Sequence, residues 1–276
     1  MSVRKFWLTN GTMTGGVLNK LEFTVPSSKI FLNNPTGLGY SQTLTTVQYA
    51  DVLNGTEAQN FPQIQGEVIF LNGANADRYD KYNKMVEFLT HKPLVLNYTI
   101  PKTSTETYTM DVQVVSLEKS ESKEDNLMRC SFTLQGLSRW KGTQVTATGS
   151  SSAYSITNSG HIPCGFEITI AGTSMVNPYI TLEQDSELYG EAKFVDSTGF
   201  SSVYVDSNDG EQNVVLEQGG SVMPNPLSYQ DLSISNGAIY VTFVKLARGT
   251  STLTIGMDSG SITSVEIKYT PLYRSV

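Results

Sequence analysis

The sequence is poor in the groups that most often do chemistry or staple a small fold. Its 276 residues include two histidines and two cysteines. A secreted disulfide scaffold usually carries more cysteine, so Cys130 and Cys164 point to a reducing compartment. Charge is scarce as well. Asp, Glu, Lys and Arg make up 16% of the chain, against a usual share of roughly 25%. The net charge is −7 with a pI near 4.9, and no Lys/Arg cluster interrupts the acidic balance. A nucleic-acid surface needs a cationic footprint that releases phosphate counterions, so unspecific DNA or RNA binding is excluded. No apolar run approaches the ~20 residues of a membrane span. Near the N-terminus Phe6-Trp7-Leu8 is cut off by Thr9-Asn10-Gly11, far too short for a signal peptide. These absences predict a soluble protein made in a cytoplasm, without membrane insertion.

Ser, Thr, Asn and Gly take the place of the missing charge. Thr fits a pleated strand while Asn and Gly fit turns, so the composition suits an all-β surface. Hydrophobic residues are 39% and aromatics 10%, enough to separate the chain from a disordered one. Apolar and polar residues alternate between turn dipeptides, predicting strands over 21–25, 66–71, 93–100, 108–117 and 127–134. One segment breaks this pattern. Over 76–90, Tyr79, Tyr82, Val86 and Leu89 recur at three- and four-residue spacing, predicting a single amphipathic helix. Asn75 suits its N-cap, and Pro93 prevents its continuation. Between 142 and 155 the composition turns to Thr, Ser, Ala and Gly, marking a linker between a domain over 1–141 and a second over 156–276. Short strands then recur at 165–170, 179–183, 203–206, 213–216, 238–244, 251–255 and 264–269, the spacing of a β-sandwich.

The candidate chemical groups do not form a site on the page. His91 ends the predicted helix, where a cation favours the negative end of the dipole. His161 lies in a turn, and no Gly-x-Ser-x-Gly elbow supplies a nucleophile. His91, His161, Cys130 and Cys164 nominally supply four zinc ligands, but only His161 and Cys164 form a close pair. Both cysteines read better as small buried hydrophobes. Asp206-Ser-Asn-Asp-Gly-Glu211 has the wrong register for an EF-hand loop, and Asp209-Gly210 signals a hairpin turn instead. The carboxylate pairs Asp185/Glu187 and Glu124/Asp125 are loop neighbours, not residues facing across a cleft. Asn10-Gly-Thr12, Asn54-Gly-Thr56 and Asn97-Tyr-Thr99 match the glycosylation acceptor, yet without a secretory route they read as turn or strand residues. The chain is therefore expected to be no enzyme, with no catalytic residues, no cofactor and no metal.

An ordered series of motifs does carry a resemblance. It begins with Asn34-Pro-Thr-Gly-Leu-Gly-Tyr40 and Ile64-Gln-Gly-Glu-Val-Ile-Phe70. Tyr79-Asp-Lys-Tyr82, Leu94-Val-Leu-Asn-Tyr98, Ser116-Leu-Glu-Lys-Ser-Glu121 and Gly136-Leu-Ser-Arg-Trp140 follow. Asn158-Ser-Gly-His-Ile-Pro163, Asn177-Pro178, Val205-Asp-Ser207 and Leu246-Ala-Arg-Gly-Thr-Ser-Thr-Leu253 continue it through the second half. Together they resemble the distal tail proteins of long, flexible-tailed phages that infect Gram-positive bacteria. One departure is Trp140-Lys141, where relatives often carry two adjacent aromatics.

The resemblance implies a mainly β chain: an N-terminal belt domain related to the tail-tube fold, with one helix, and a C-terminal galectin-like β-sandwich. It implies a homohexameric ring in the virion's tail tip. The partners implied are the tail tube protein, the tape measure protein, a tail-tip hub protein of the tail-associated lysin type, and receptor-binding or baseplate proteins. Candidate subunit-contact residues are Glu118, Lys119, Glu121, Lys123, Glu124 and Asp125, in the polar tip 118–126, together with the extended segment 33–61. A different class of function stays open: a cell-wall saccharide-binding module, for which Tyr179, Tyr189, Tyr204 and Tyr229 would offer stacking rings. Those tyrosines serve equally as filling for a sandwich.

Overall fold

A computed structural model describes residues 5–14, 17–23, 29–39, 42–49, 52–71, 75–100, 106–121, 128–194, 199–223, 232–233 and 244–276. For 42–49, 52–59, 232–233 and residues 18, 75, 76, 121 and 189 it gives the backbone alone. The chain divides into two units: Met1–Gly142 with Tyr273–Val276, and Thr143–Leu272.

The first unit contains β1 (Lys5–Thr14), β2 (Val17–Glu22), β3 (Ile30–Thr36), β4 (Gln42–Tyr49), β5 (Val52–Gln59) and β6 (Gln63–Phe70). After α1 (Asn75–Thr90) come β7 (Leu94–Thr99), β8 (Thr107–Glu121), β9 (Met128–Gly136) and β10 (Trp140–Lys141). Seven of these strands line up in the order β2-β1-β7-β8-β9-β6-β3, with β10 added beside β8. β8 is long because it serves two neighbours in turn. Thr107 to Val112 pairs with β7, and Val112 to Glu121 pairs with β9 across an irregularity between Val114 and Ser116. β4 and β5 form a ribbon that joins no larger sheet among the described residues.

One face of this sheet is buried, and side chains on a strand alternate between faces. In β9 the inward set is Met128, Cys130, Phe132 and Leu134, all nearly inaccessible. Aromatic rings extend the core, with Phe6 stacked on Tyr98 at 4.6 Å and Tyr98 tilted against Trp140 at 6.2 Å. The helix turns a different stripe inward from the one its tyrosines suggest. Arg78 and Met85 are buried, Tyr82, Phe88 and Leu89 pack on the core, and Tyr79 and Val86 remain exposed. Positions 78, 82, 85 and 89 keep helical spacing too, and the polar head of Arg78 conceals them in the sequence.

The second unit opens with β11 (Val145–Gly149), inside the stretch read above as a linker. Its small residues lie against the edge of a sheet, where Val145 to Gly149 pairs with Tyr269 to Val265. Then follow β12 (Ala153–Asn158), β13 (Phe166–Val176), β14 (Tyr179–Gln184), β15 (Glu187–Phe194) and β16 (Phe200–Asp206). β17 (Asn213–Gln218), β18 (Ser221–Val222), β19 (Leu232–Ser233), β20 (Gly249–Gly256), β21 (Ser259–Tyr269) and β22 (Leu272–Tyr273) complete the chain. The expected strand at 238–244 lies almost wholly outside the described residues. Two sheets result, β11-β21-β13-β16-β17-β18 and β12-β20-β14-β15-β19. Phe166, Ile168, Val203 and Ile267 from the first share one core with Ile180, Leu182, Leu253 and Ile255 from the second. That is a β-sandwich.

Candidate assembly surface

Several of the groups that might have carried chemistry are held in structural roles among the described residues. Cys130 and Cys164 are buried free thiols, one in each unit. Burial pushes the Cys130 thiol up to about 11 and the Cys164 thiol up to about 12, so both stay protonated near neutral pH. Among the described residues no group of three or more His, Cys, Asp or Glu is placed to hold a metal ion. Nor is any helix there long and apolar enough to cross a membrane. His91 Nδ1 sits 2.9 Å from the carbonyl of Glu87, on the last turn of α1. Asp206 Oδ1 accepts from both the backbone and side-chain nitrogens of Asn208 at 2.8 Å, which turns the chain toward the Asp209-Gly210 corner. Asp185 and Ser186 both have positive φ, 52° and 66°, and close the β14–β15 hairpin. The amides of Asn10 and Asn97 are buried and bonded inside the fold, which closes them to glycosylation.

Of the four tyrosines that would offer stacking rings, the two described side chains, Tyr179 and Tyr204, stand on different sheets of the sandwich. Tyr179 packs against Gly256, so close that a Cβ there would meet its ring at 2.1 Å. Tyr204 is half-buried on the other sheet. Burial and then the charge of Glu167 raise its phenol. The side chain of Tyr189 and the whole of Tyr229 lie outside the described residues.

Of the six residues expected at a subunit contact, Glu118, Lys119 and Glu121 belong to β8 and pair with Ser131, Cys130 and Met128. Lys119 turns back onto the helix, its ammonium 4.6 Å from the Tyr79 ring centre. Lys123, Glu124 and Asp125 lie outside the described residues. Within 33–61, the paired run from Gln42↔Gln59 to Tyr49↔Val52 forms the β4–β5 ribbon. An isolated two-stranded ribbon is marginal in water. At its base the chain is firmly tied. Gly37, at φ +83°, lies so near the Gln63 carbonyl that a Cβ would stand 1.8 Å from its oxygen. Gly136 N donates to Pro62 O at 2.8 Å, and Arg139 Nη1 donates to Asn60 O at 3.1 Å.

The sequence landmarks that carry the resemblance are staples of this kind. Ser138 Oγ accepts from Asp111 N at 2.9 Å. Asn158 donates to the carbonyls of Ile162 and Leu246 at 3.1 Å and accepts from Gly160 N at 2.9 Å. Ser207 Oγ bridges both backbone groups of Phe166. Asn177, at φ 47°, donates to Asp258 at 2.7 Å.

The family model for the distal tail protein N-terminal domain matches residues 5–137. Among solved structures, the chain is similar to the Dit protein (gp 19.1) of phage SPP1, described as a paradigm of the hub adsorption apparatus in phages infecting Gram-positive hosts. That match has a TM-score of 0.66 at 15% identity and covers 96% of this chain and 98% of that one. The baseplate of phage P2 in its activated, calcium-bound conformation matches at TM-score 0.54 and 12% identity, covering 99% of this chain and 100% of that one. No curated protein matches the sequence significantly. The two-unit β architecture and the matched N-terminal domain thus define a structural component of a phage tail. Within that class, residues 5–137 carry the distal tail protein N-terminal domain, and the chain shares its fold with a solved distal tail protein and a solved baseplate component.

Proposed function

We propose that this chain forms a homohexameric ring at the tail tip, joining the tail tube to the tail-tip hub and the receptor-binding apparatus. The observation that carries the reading is the first unit's sheet. It ends at one side in β2, which pairs with β1 alone among the described residues, and it carries a ribbon without a third strand there. Exposed edges of this kind invite pairing, and a closed ring covers them. The outer end of β8, with Glu118, Lys119 and Glu121, and Lys123, Glu124 and Asp125 beyond it, contributes to the subunit contact. The tape measure protein and the tube meet one side of the ring, and the galectin-like sandwich of the second unit offers the attachment point for baseplate or receptor-binding proteins. The role is structural and non-enzymatic, in a virion assembled in a bacterial cytoplasm.

Light scattering on the purified chain after size exclusion tests this reading. A mass near six times 30.2 kDa is expected. A strict monomer at high concentration, both alone and with the tail-tip hub protein, would overturn it.

A further inference from the structure

We propose that the free edge of β11 is where an attached protein docks, adding an extended strand of its own to the sheet β11-β21-β13-β16-β17-β18. This rests on the reading of the second unit as an attachment point and names its contact.

The edge begins as a feature of the sequence. From Gly142 to Phe166 the chain carries no Asp, Glu, Lys or Arg. The rest of the second unit holds 13 acidic and four basic residues, a net charge of −9, so the charge-free run stands apart from it. That run supplies both β11 and β12, and each is the end strand of its sheet. β11 pairs with β21 and β12 with β20, residue for residue and without a shift in register. Edge strands are usually defended by charge, proline, a bulge or shortness, because their unpaired N–H and C=O groups template another strand. Among the described residues the opposite ends of the two sheets are short, with two residues each in β18 and β19. β11 and β12 have none of these defences.

Of the two, β11 is the open one. Its residues are all exposed or half-buried, whereas β12 buries Ile156 and Asn158 and spends the Asn158 amide on Ile162 and Leu246. The edge is also held in place. Tyr154, on β12, packs on the core of the second unit and reaches the end of β11, where a Cβ on Gly149 would stand 3.1 Å from its hydroxyl. That hydroxyl is buried without a hydrogen-bond partner. Buried polar groups are rarely left so, and this one stands at the seam between the two edges. The added strand, running past Gly149, supplies the carbonyl that takes up its proton.

The chemistry of the edge selects its occupant. Backbone groups recognise an extended backbone, and an edge without charge sets no charge requirement on the strand it receives. A second copy fits less well. Two β11 edges would pair like to like, and an isologous contact closes after two chains instead of continuing around a ring. The occupant is an extended segment of a different protein.

Hydrogen exchange on the full chain tests the edge. The probe is a synthetic peptide copying β21, the strand that β11 already pairs with, and its control is the same peptide with methylated backbone nitrogens. The unmodified peptide should slow exchange across 145–149 by about tenfold, the worth of one net backbone hydrogen bond, and the methylated one should not. Thr148→Lys, which puts a charge on the edge opposite Glu266, should abolish the effect, whereas Ser155→Lys on β12 should leave it. Tyr154→Phe should weaken the peptide without lowering the unit's calorimetric transition, since it removes a hydroxyl that bonds nothing in the free chain. Equal protection from both peptides, or none from either, would overturn the edge. Purified baseplate and receptor-binding proteins of the same phage then separate the two readings. Binding to the wild type that Thr148→Lys loses is the expected result. Equal binding to both would overturn this contact and leave the attachment reading standing. Binding to neither, with the peptide effect intact, would overturn the attachment reading and with it the occupant. Dimers of the chain protected at 145–149 with no partner present would make the occupant a second copy and overturn the assignment.

Discussion

Tyr273 meets Tyr108 edge to face, with ring centres 5.1 Å apart and planes at 88°. Tyr273 is buried in the core of the first unit, although 130 residues of the second unit, Thr143–Leu272, separate it from that unit's other strands. The return continues to Val276, whose N donates to Leu38 O at 3.5 Å. The first unit is thus completed by residues that follow the second. The core it completes packs the face of the sheet whose edges are assigned to the ring.

Tyr273→Ala is accordingly expected to destabilise the first unit by about 3 kcal/mol, the range for deleting a buried aromatic. Tyr273→Phe should be tolerated. Both tryptophans, Trp7 and Trp140, belong to this unit, so urea unfolding followed by tryptophan fluorescence reads it selectively. An unchanged midpoint in Tyr273→Ala would show that the return is a passive tail.

The second unit holds a comparable joint at Gly160. A Cβ at this position would stand 2.6 Å from Leu272 O and 2.7 Å from Leu272 N. Both are backbone atoms, and His161 N also donates to Leu272 O at 2.8 Å, so the neighbour cannot easily retreat. Gly160→Ala should lower the stability of the second unit by about 1–3 kcal/mol, the usual cost of overpacking. Calorimetry should show a lower transition for this unit while the tryptophan-detected transition stays in place.

These joints explain what the sequence discloses and what it hides. β9 is legible because one face is buried, and Met128, Cys130, Phe132 and Leu134 alternate with outward residues. β1 is not, because Asn10-Gly-Thr12 reads as a turn, whereas the strand runs on through an irregularity stabilised by Asn10 itself. The end of β8 looks like a loop for its charge, yet Glu118 to Glu121 is paired strand. The helix is visible from its spacing, but its orientation is not, since burial of Arg78 depends on the packing around it. Polarity and extended character single out the tip 118–126 and the segment 33–61 for the proposed subunit contact, whereas the pairing of β4 with β5 inside that segment is set by the fold.

Asn10→Ala probes the relay that stiffens the β1–β2 hairpin, in which Thr14 donates to Asn19, Asn19 to Thr12, Thr12 to Asn10 and Asn10 to Phe88 O. The change strips a partner from Phe88 O and from Thr12 Oγ1 in a part of the fold where Asn10 is buried. A loss of about 1–3 kcal/mol is expected, the cost of leaving buried polar groups unsatisfied. Thr14→Ala, at the solvent end of the same relay, should cost no more than about 1 kcal/mol. Denaturant titration of the two variants ranks them, and equal effects would mean that the hairpin is not anchored from its buried end.

The thiols supply a test with a defined sign. Burial raises Cys130 from 9.0 to about 11 and Cys164 from 9.0 to about 12. Below pH 9 both thiols keep their protons folded and unfolded, and they impose no pH dependence. Above that value the unfolded chain releases protons that the folded chain retains, so stability falls as pH rises. The fall from Cys130 ends near pH 11 and that from Cys164 near pH 12. Cys130→Ala with Cys164→Ala should therefore flatten the decline between pH 9 and 11 in denaturant midpoints, whatever it costs at neutral pH through lost packing. A thiol reagent at pH 8 should find no reactive group in the native protein and two after unfolding. Reaction of either cysteine in the native state would mean that its part of the fold opens far more readily than its burial implies.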